Sequence, residues 1–220
     1  MSKRIRSARS LAGIFAFLLV LLGITSGSWA APQEAGINPA DTSWLLVSTA
    51  LVLLMTPALA FFYGGLVRAK NALNTMMMSV VALGLTGVTW ALLGYSIAFG
   101  SGGPLVGDFS MAFLQGVGLE ASGSVPHLLF FAFQGTFAII TGALISGAVV
   151  ERMRFPAYLW FIGLWGLIVY APVCHWVWGG GWLDGIGALD FAGGAVVHVN
   201  AGAAAMVAAL MLGTRKDYGQ

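Results

Sequence analysis

The chain has 220 residues, of which 59% are hydrophobic and only 8% are charged, and its net charge is +2. Soluble domains usually carry about a quarter charged residues, so this balance indicates a protein whose solvent is a lipid bilayer. The charge is too small to suggest a nucleic-acid partner. The lone Cys174 has no second cysteine for an internal disulfide or a CxxC metal site.

The first 30 residues have the three parts of a secretory signal peptide. Basic residues lie between positions 3 and 9, an apolar stretch covers 11–24, and Ser28 and Ala30 supply small residues before a cleavage site. We expect cleavage after Ala30, which leaves residues 31–220 as one membrane domain. An uncleaved signal anchor is the alternative.

Five long apolar segments follow, and each reaches about the 20 residues that a helix needs to cross the hydrocarbon. They lie near 42–66, 73–99, 127–150, 157–177 and 191–213. Small residues recur four positions apart, a spacing that lets helices approach closely in lipid. The pairs are Gly142 and Ser146, Ala143 and Gly147, and Ala201 and Ala205. The sequence therefore predicts an all-α polytopic membrane protein in which five helices pack as a bundle.

The basic residues beyond the signal alternate between loops. The second loop (100–126) and the fourth loop (178–190) contain no Lys or Arg. The basic side chains of the other loops and of the tail are Arg68, Lys70, Arg152, Arg154, Arg215 and Lys216. By the positive-inside rule, this alternation predicts a mature N-terminus outside the cell and a cytoplasmic C-terminus.

Two ionisable residues at the fifth segment are candidates for function. Asp190 opens the segment, where an aspartate caps a helix and where its charge would also stabilise a cation at a pore mouth. His198 lies eight residues further, inside a run of Val, Ala and Gly. An imidazole at that depth should face a cavity, a partner or a transport path, because exposure to lipid is costly. A packing histidine bonded to a carbonyl is the structural alternative.

Aromatic residues supply a second candidate feature. Phe133 and Phe137 are one helical turn apart and share a face of the third segment, and Trp178 lies at the mouth of the fourth. Their rings could receive a desolvating cation through cation–π contacts, or they could be ordinary core residues. The loops that carry no basic residue hold carboxylates, including Asp108 and Asp184, which would favour cations over anions.

An enzyme is the less favoured alternative. Ser146 in one segment and His198 in another could suggest an intramembrane serine hydrolase. However, Ser146 falls within the small-residue spacing that helix packing uses, and the sequence contains no phosphate-binding glycine loop, zinc motif or cofactor fingerprint. We therefore expect neither enzymatic activity nor a cofactor.

Several ordered motifs resemble the ammonium transporter family (Amt/Mep/Rh), and together they cover about residues 42–216. The motifs are FFYGGLVR at 61–68, AFQGTFA at 132–138, ERMRF at 151–155, HWVWGGG at 175–181 and GALDFAGGAVVHVN at 187–200. The resemblance implies that Phe133, Trp178 and Asp190 form an outer site that recruits ammonium. It further implies that the ring of Phe137 gates the narrow pore and that His198 lines it.

The family is built from two inverted five-helix repeats, and this chain resembles the first of them. We therefore expect an incomplete chain whose transport of ammonium, ammonia or the analogue methylammonium belongs to a longer protein. The resemblance also implies a homotrimer in the bacterial inner membrane and a PII-type regulatory partner for the full-length chain. An ammonium sensor with the same fold and an inactive membrane fragment are the alternatives.

Overall fold

The computed structural model describes residues 36–215 and 218–219. The expected signal peptide and Lys216 lie outside the described residues. Within them, five helices are long and apolar enough to cross a membrane, which confirms the predicted all-α membrane fold. The helices are α1 (Pro39–Gly65), α2 (Ala69–Phe99), α3 (His127–Val149), α4 (Phe155–Trp165 continued by Gly166–Tyr170 and Ala171–Trp178) and α5 (Gly194–Leu212).

The observed helix ends follow local chemistry that hydropathy does not record. α1 begins before the predicted position 42 because Asn38 caps it, with its Oδ1 accepting from the N–H groups of Ala40 (2.8 Å) and Asp41 (3.2 Å). Pro39 takes the first helical position, where a missing N–H costs nothing. α5 begins at Gly194 and not at the predicted 191, because Gly193 has a left-handed backbone (φ 74°).

Three helices contain a π-helical segment of five or six residues. These segments are Trp90–Gly94 in α2, Gly166–Tyr170 in α4 and Gly194–Val199 in α5. A π-helical turn shifts the residues that follow around the helix axis, and such turns occur often at functional sites. The segment in α5 contains His198, so it determines the direction in which that side chain points.

α3 lies at the centre of the bundle. In its most apolar window 56% of the residues are buried, against 11% in α1, and α3 packs against α1, α2 and α5. Its small residues allow these close approaches, as the sequence predicted. A Cβ on Gly147 would lie 2.5 Å from Cζ of Tyr63 on α1, and the buried Ser146 hydroxyl is 3.2 Å from that of Ser79 on α2.

One end of the bundle, which we call the loop end, carries the segment 100–126 and the segment 179–193. The first contains a short 3₁₀ turn (Ala112–Leu114) and a two-stranded antiparallel hairpin of β1 (Ala121–Ser122) and β2 (Val125–Pro126). The Trp182 N–H donates to the Pro104 carbonyl at 2.9 Å, which ties the two segments together.

The opposite end, which we call the arginine end, is held together by one carboxylate. Glu151 lies between α3 and α4, and its side chain is only 4% exposed. Its Oε1 accepts from Arg68 Nε (3.0 Å) and Asn71 Nδ2 (2.6 Å), and its Oε2 accepts from Arg215 Nη1 (3.2 Å). The hydrogen bonds from Asn71 and Arg68 lower the pKa of Glu151 to about 2.

Candidate functional site

The aromatic side chains singled out in the sequence form a continuous row at the loop end. The rings of Phe133 and Phe137 on α3 have centroids 5.0 Å apart at an interplanar angle of 89°. The ring of Phe137 lies 6.0 Å from that of Trp178 at 66°. Edge-to-face pairs of this kind are favourable because the electropositive edge of one ring meets the electronegative face of the other. The row therefore brings together residues that are 45 positions apart in the chain.

Asp190 caps α5 from outside the helix. Its Oδ1 accepts from the Gly194 N–H (2.7 Å), and its Oδ2 accepts from the N–H groups of Ala195 (2.9 Å) and Val196 (3.0 Å). The first N–H groups of a helix have no partner within the helix, and the positive end of the helix dipole favours a negative charge. The predicted capping role is therefore present, although the cap lies four residues before the helix begins.

Trp178 and Asp190 are joined through the backbone. The indole Nε1 of Trp178 donates to the Asp190 carbonyl at 2.8 Å, which fixes the orientation of the ring. Gly193 makes room for this arrangement, since a Cβ there would lie 3.0 Å from Cγ2 of Val197 and 3.6 Å from the Trp178 ring. With its left-handed φ, Gly193 directs the chain so that the carboxylate of Asp190 meets the N–H groups of α5.

A cavity of about 490 Å³ opens in front of the aromatic row. It includes Phe133, Phe137, Trp178 and Asp190, so the structure brings four of the five sequence-predicted site residues together. The other lining residues are Phe99, Phe130, Gln134, Val177, Asp184, Ala188, Leu189, Phe191, Ala192 and Gly193.

The loop carboxylates differ in their relation to this cavity. Asp184 lines it and is exposed. By contrast, the Asp108 carboxylate accepts from the backbone and hydroxyl of Ser110, and these hydrogen bonds lower its pKa. Glu120 accepts from the Gly118 N–H at 2.9 Å, and backbone hydrogen bonds lower its pKa as well. Asp184 is therefore the loop carboxylate that adds negative charge at the cavity, beside that of Asp190.

His198 does not line the cavity. It lies in the π-helical segment of α5, where Val196 and Val197 face inward and His198 is exposed. Within the described residues its imidazole has no hydrogen-bond partner, whereas its backbone N–H donates to the Gly193 carbonyl at 3.1 Å. The packing alternative, an imidazole bonded to a carbonyl, is therefore absent from the described part of the chain.

Sequence reasoning did not assign Gln134 a role, although this residue lies between Phe133 and Phe137 on α3. Gln134 lines the cavity, and its buried Oε1 has no hydrogen-bond partner among the described residues. A free acceptor beside aromatic faces suits a ligand that carries N–H groups. Phe99 and Phe130 were also missed, because apolar residues in a membrane helix give no signal that distinguishes a cavity wall from a lipid-facing surface.

Two further expectations concern Ser146 and metal binding. The hydroxyl of Ser146 is fully buried against Ser79, which is a packing environment and not that of an activated nucleophile. Among residues 36–215 and 218–219, no group of three or more His, Cys, Asp or Glu side chains could hold a metal ion.

The amino-acid sequence of this chain is similar to those of known proteins. The model of the Ammonium Transporter Family matches residues 43–220. An ammonium transporter of Bacillus subtilis (strain 168) is 51% identical over 180 residues, which are 80% of this chain and 45% of the relative. An ammonium transporter of Aquifex aeolicus (strain VF5) is 49% identical over 205 residues, which are 91% of this chain and 48% of the relative.

Solved structures with the same fold agree. Mep2 of Candida albicans superposes with a TM-score of 0.77 at 36% identity, over 87% of this chain and 43% of the other. A protein described as a sensor Amt protein has a TM-score of 0.73 at 29% identity, over 79% of this chain and 44% of the other. The chain spans about half the length of the curated relatives it matches. On the family match and these identities, the chain belongs to the ammonium transporter family.

Proposed function

We propose that this chain takes part in moving ammonium or ammonia across a membrane and that the cavity at the loop end recruits ammonium. The observation that carries the proposal is the row of Phe133, Phe137 and Trp178 rings around a cavity that also holds the carboxylates of Asp184 and Asp190. Aromatic faces and carboxylates both attract a monovalent cation, and neither attracts an anion.

Each site residue has its own part in this proposal. Trp178 and Phe133 offer π faces to the arriving ion, while Asp190 fixes the start of α5 and contributes negative charge. Phe137 bridges the other two rings and gates the way inward. His198 lines the path beyond the gate. Its exposed imidazole supports this role, because an ionisable side chain in a spanning helix is costly in lipid and favourable beside a polar path.

The setting of the site is also a proposal. The arginine end faces the cytoplasm and the loop end faces outward, which the positive-inside rule supports. Labelling of Ser101→Cys, but not of Lys70→Cys, by an impermeant maleimide in intact cells that carry Cys174→Ala would test this orientation. The homotrimer and the PII-type partner are expectations from family membership, and cleavage after Ala30 is an expectation from the signal-peptide pattern. The half-length coverage of the relatives is consistent with a function that belongs to a longer chain.

Ammonium sensing is the second candidate function. The similarity to the sensor Amt protein favours it, since the same fold and the same cavity would bind ammonium without moving it. Sensing and transport share recruitment at the cavity and differ in whether the ion crosses. Uptake therefore discriminates between them.

The experiment measures uptake of radiolabelled methylammonium by cells that lack their own ammonium transporters. The cells express this chain alone or joined to the part of the Bacillus subtilis relative that it does not match. Trp178→Leu removes the indole face and its hydrogen bond. We expect KM to rise about five- to thirtyfold, the scale of a cation–π contact in a partly desolvated site.

Trp160→Leu is the matched control, because Trp160 on α4 is 75% exposed and does not line the cavity. This variant should keep the KM of its parent. Saturable binding without uptake in either form would favour the sensor. An unchanged KM in Trp178→Leu would overturn the recruitment site.

A further inference from the structure

His175 is buried near the end of α4 with both ring nitrogens against main-chain carbonyl oxygens. The side chain is 2% exposed. Its Nδ1 is 2.9 Å from the Ala98 oxygen on α2, and its Nε2 is 2.8 Å from the Gly103 oxygen in the loop-end segment. Both distances are those of well-formed hydrogen bonds.

A carbonyl oxygen accepts hydrogen bonds and cannot donate them, so each contact requires a proton on the ring nitrogen. Neutral imidazole carries one N–H, whereas imidazolium carries two. We infer that His175 is an imidazolium that clamps the 98–103 segment onto α4 and thereby positions Trp178. This role rests on the proposed recruitment of ammonium by the cavity.

At the clamp, the backbone just after α4 lies close to the end of α2. A Cβ on Gly179 would lie 1.9 Å from the Ala98 oxygen and 2.9 Å from Nδ1 of His175. The His175 carbonyl in turn accepts from the N–H groups of Gly179 (3.1 Å) and Gly181 (2.9 Å). The side chain and the carbonyl of one residue therefore fix both the end of α4 and the turn that follows.

Trp178 lies one helical turn after His175 and immediately before Gly179, so its backbone is held between these two points. Its ring lines the cavity, and the hydrogen bond from its Nε1 to the Asp190 carbonyl fixes the orientation of the ring. Without the His175 clamp, the end of α4 can shift relative to α2 while the tie to Asp190 stays intact. His175 acts through Trp178 and does not line the cavity itself.

Within the described residues, neither ring nitrogen of His175 has a hydrogen-bond donor beside it that would remove the need for the second proton. The ionisable residues around this end of α4 are Asp108, Glu120, Asp184 and Asp190 in the loop-end segments, Tyr95 on α2, His127 on α3, and Tyr170 and Cys174 on α4. Both hydrogen-bond partners of the ring are carbonyl oxygens. Charge-assisted hydrogen bonds of this type are about twice as strong as neutral ones, which offsets part of the cost of burying the ion.

Solid-state NMR of the chain labelled with ¹⁵N-histidine in lipid bilayers tests the protonation state directly. The chain has three histidines, so the ring signals can be assigned with His175→Gln and with single substitutions of the other two. At pH 7 we expect both ring nitrogens of His175 to be protonated. An unprotonated ring nitrogen on His175 would overturn the clamp as we describe it, whatever the transport activity.

Methylammonium uptake tests the positioning role. We expect His175→Gln and His175→Ala to raise KM about tenfold, as expected when a buried charge-assisted hydrogen bond that positions Trp178 is lost, with a smaller effect on the maximal rate. Trp176→Phe is the control, because Trp176 Nε1 ties the same loop to α4 through the Leu105 carbonyl (2.7 Å) without touching Ala98 or Gly103. Its KM should stay near that of the parent.

The outcomes separate the two proposals. If the parent takes up methylammonium and the His175 variants keep its KM, the positioning role is wrong and the recruitment site stands. Equal increases in KM for Trp176→Phe and His175→Gln would show a general need for loop attachment and would also overturn it. If the parent binds and moves no methylammonium, the proposed function fails, and the NMR result still decides the state of His175.

Discussion

Asp190 places a negative charge beside the cavity and uses most of its hydrogen-bonding capacity on the helix. Both carboxylate oxygens accept from the first N–H groups of α5. The positive end of the helix dipole thus offsets part of this charge. A cation in the cavity therefore experiences the aromatic faces and the exposed Asp184 more directly than Asp190, whose main effect is to hold α5 in place.

Substitution of Asp190 tests this view through stability. Asp190→Ala should lower the free energy of unfolding by about 1–2 kcal/mol, since three N–H groups lose their acceptor. Asp190→Asn should cost less, because the amide oxygen keeps part of the cap. Unfolding in detergent, followed by circular dichroism, measures both.

Asp184→Asn is the control for charge at the cavity, because no hydrogen bond of the Asp184 side chain occurs within the described residues. It should leave the unfolding midpoint unchanged. An Asp190→Ala protein as stable as its parent would show that the carboxylate does not support α5.

At the scale of helices, α3 combines two functions on one element. Its glycines and alanines pack closely against α1, α2 and α5. The side chains of Phe133 and Phe137 on the same helix line the cavity. Because α3 is held on several sides, the aromatic row has a rigid support. The small residues were predicted as a packing surface, and the Ser146–Ser79 contact confirms that surface for α2.

Gly147→Ala tests the close approach of α3 and α1. The new Cβ would lie 2.5 Å from the Tyr63 ring, whose hydroxyl donates to the Leu144 carbonyl at 3.1 Å. We expect a loss of about 1–3 kcal/mol, the usual cost of overpacking a core. Thermal unfolding in the same detergent measures it.

Gly84→Ala on α2 is the matched control, since a Cβ there would meet nothing within 4 Å. This substitution should be neutral or slightly stabilising, because alanine favours a helix more than glycine does. Equal effects of the two substitutions would mean that helix propensity, and not contact with Tyr63, governs position 147.

At the scale of the whole molecule, Glu151 joins two segments, 68–71 and the one at Arg215, that are far from it and from each other in the chain. It binds Arg68 after α1, Asn71 at the start of α2 and Arg215 after α5. Glu151 adopts this position with a left-handed backbone (φ 60°), which costs a residue with a side chain some energy. The positive charge at the arginine end is therefore partly neutralised and organised around one acceptor.

The ion cluster predicts a pH dependence with a defined sign. Folding lowers the pKa of Glu151 from 4.5 to about 2, so the carboxylate stabilises the folded chain above pH 4.5. That stabilisation is lost as the pH falls through about 2. Glu151→Gln should therefore lower the unfolding midpoint at pH 7, and the difference from the parent should shrink as the pH falls below 4.5.

Glu120→Gln serves as the control at the loop end, because the Glu120 side chain is 59% exposed. It should change the midpoint much less at pH 7, since exposed pairs contribute little. A Glu151→Gln deficit that stays constant down to pH 3 would show that the carboxylate charge is not the cause.

Local patterns in the sequence were enough to predict most of the fold. A helix that crosses a bilayer must be long and apolar and must satisfy its own backbone, so composition and length were enough to place five helices. The capping role of Asp190 was also predictable, because it depends on residues within six positions. The sequence misplaced the start of α5 because the left-handed conformation of Gly193 cannot be read from hydropathy.

The arrangement of the cavity was decided by tertiary structure alone. The rings of Phe137 and Trp178 are in contact although the two residues are 41 positions apart. Asp184 lines the same cavity as these rings, whereas the Asp108 carboxylate accepts a hydrogen bond from Ser110. The sequence pattern could not rank these residues, because a side chain that faces a cavity and one that faces lipid have the same local pattern. Spacing made Phe133, Phe137 and Trp178 candidates, and family resemblance assigned them their roles.

The sequence by itself determined that the chain lies in a membrane, the five membrane-long helices of the described residues and the end that carries the basic residues, since each follows from hydropathy, length and charge along the chain. Tertiary structure decided which side chains share the cavity, what Glu151 binds and why His175 needs two protons. These features depend on contacts between helices distant in sequence, and the free energy of such contacts is set by packing geometry that no local pattern encodes.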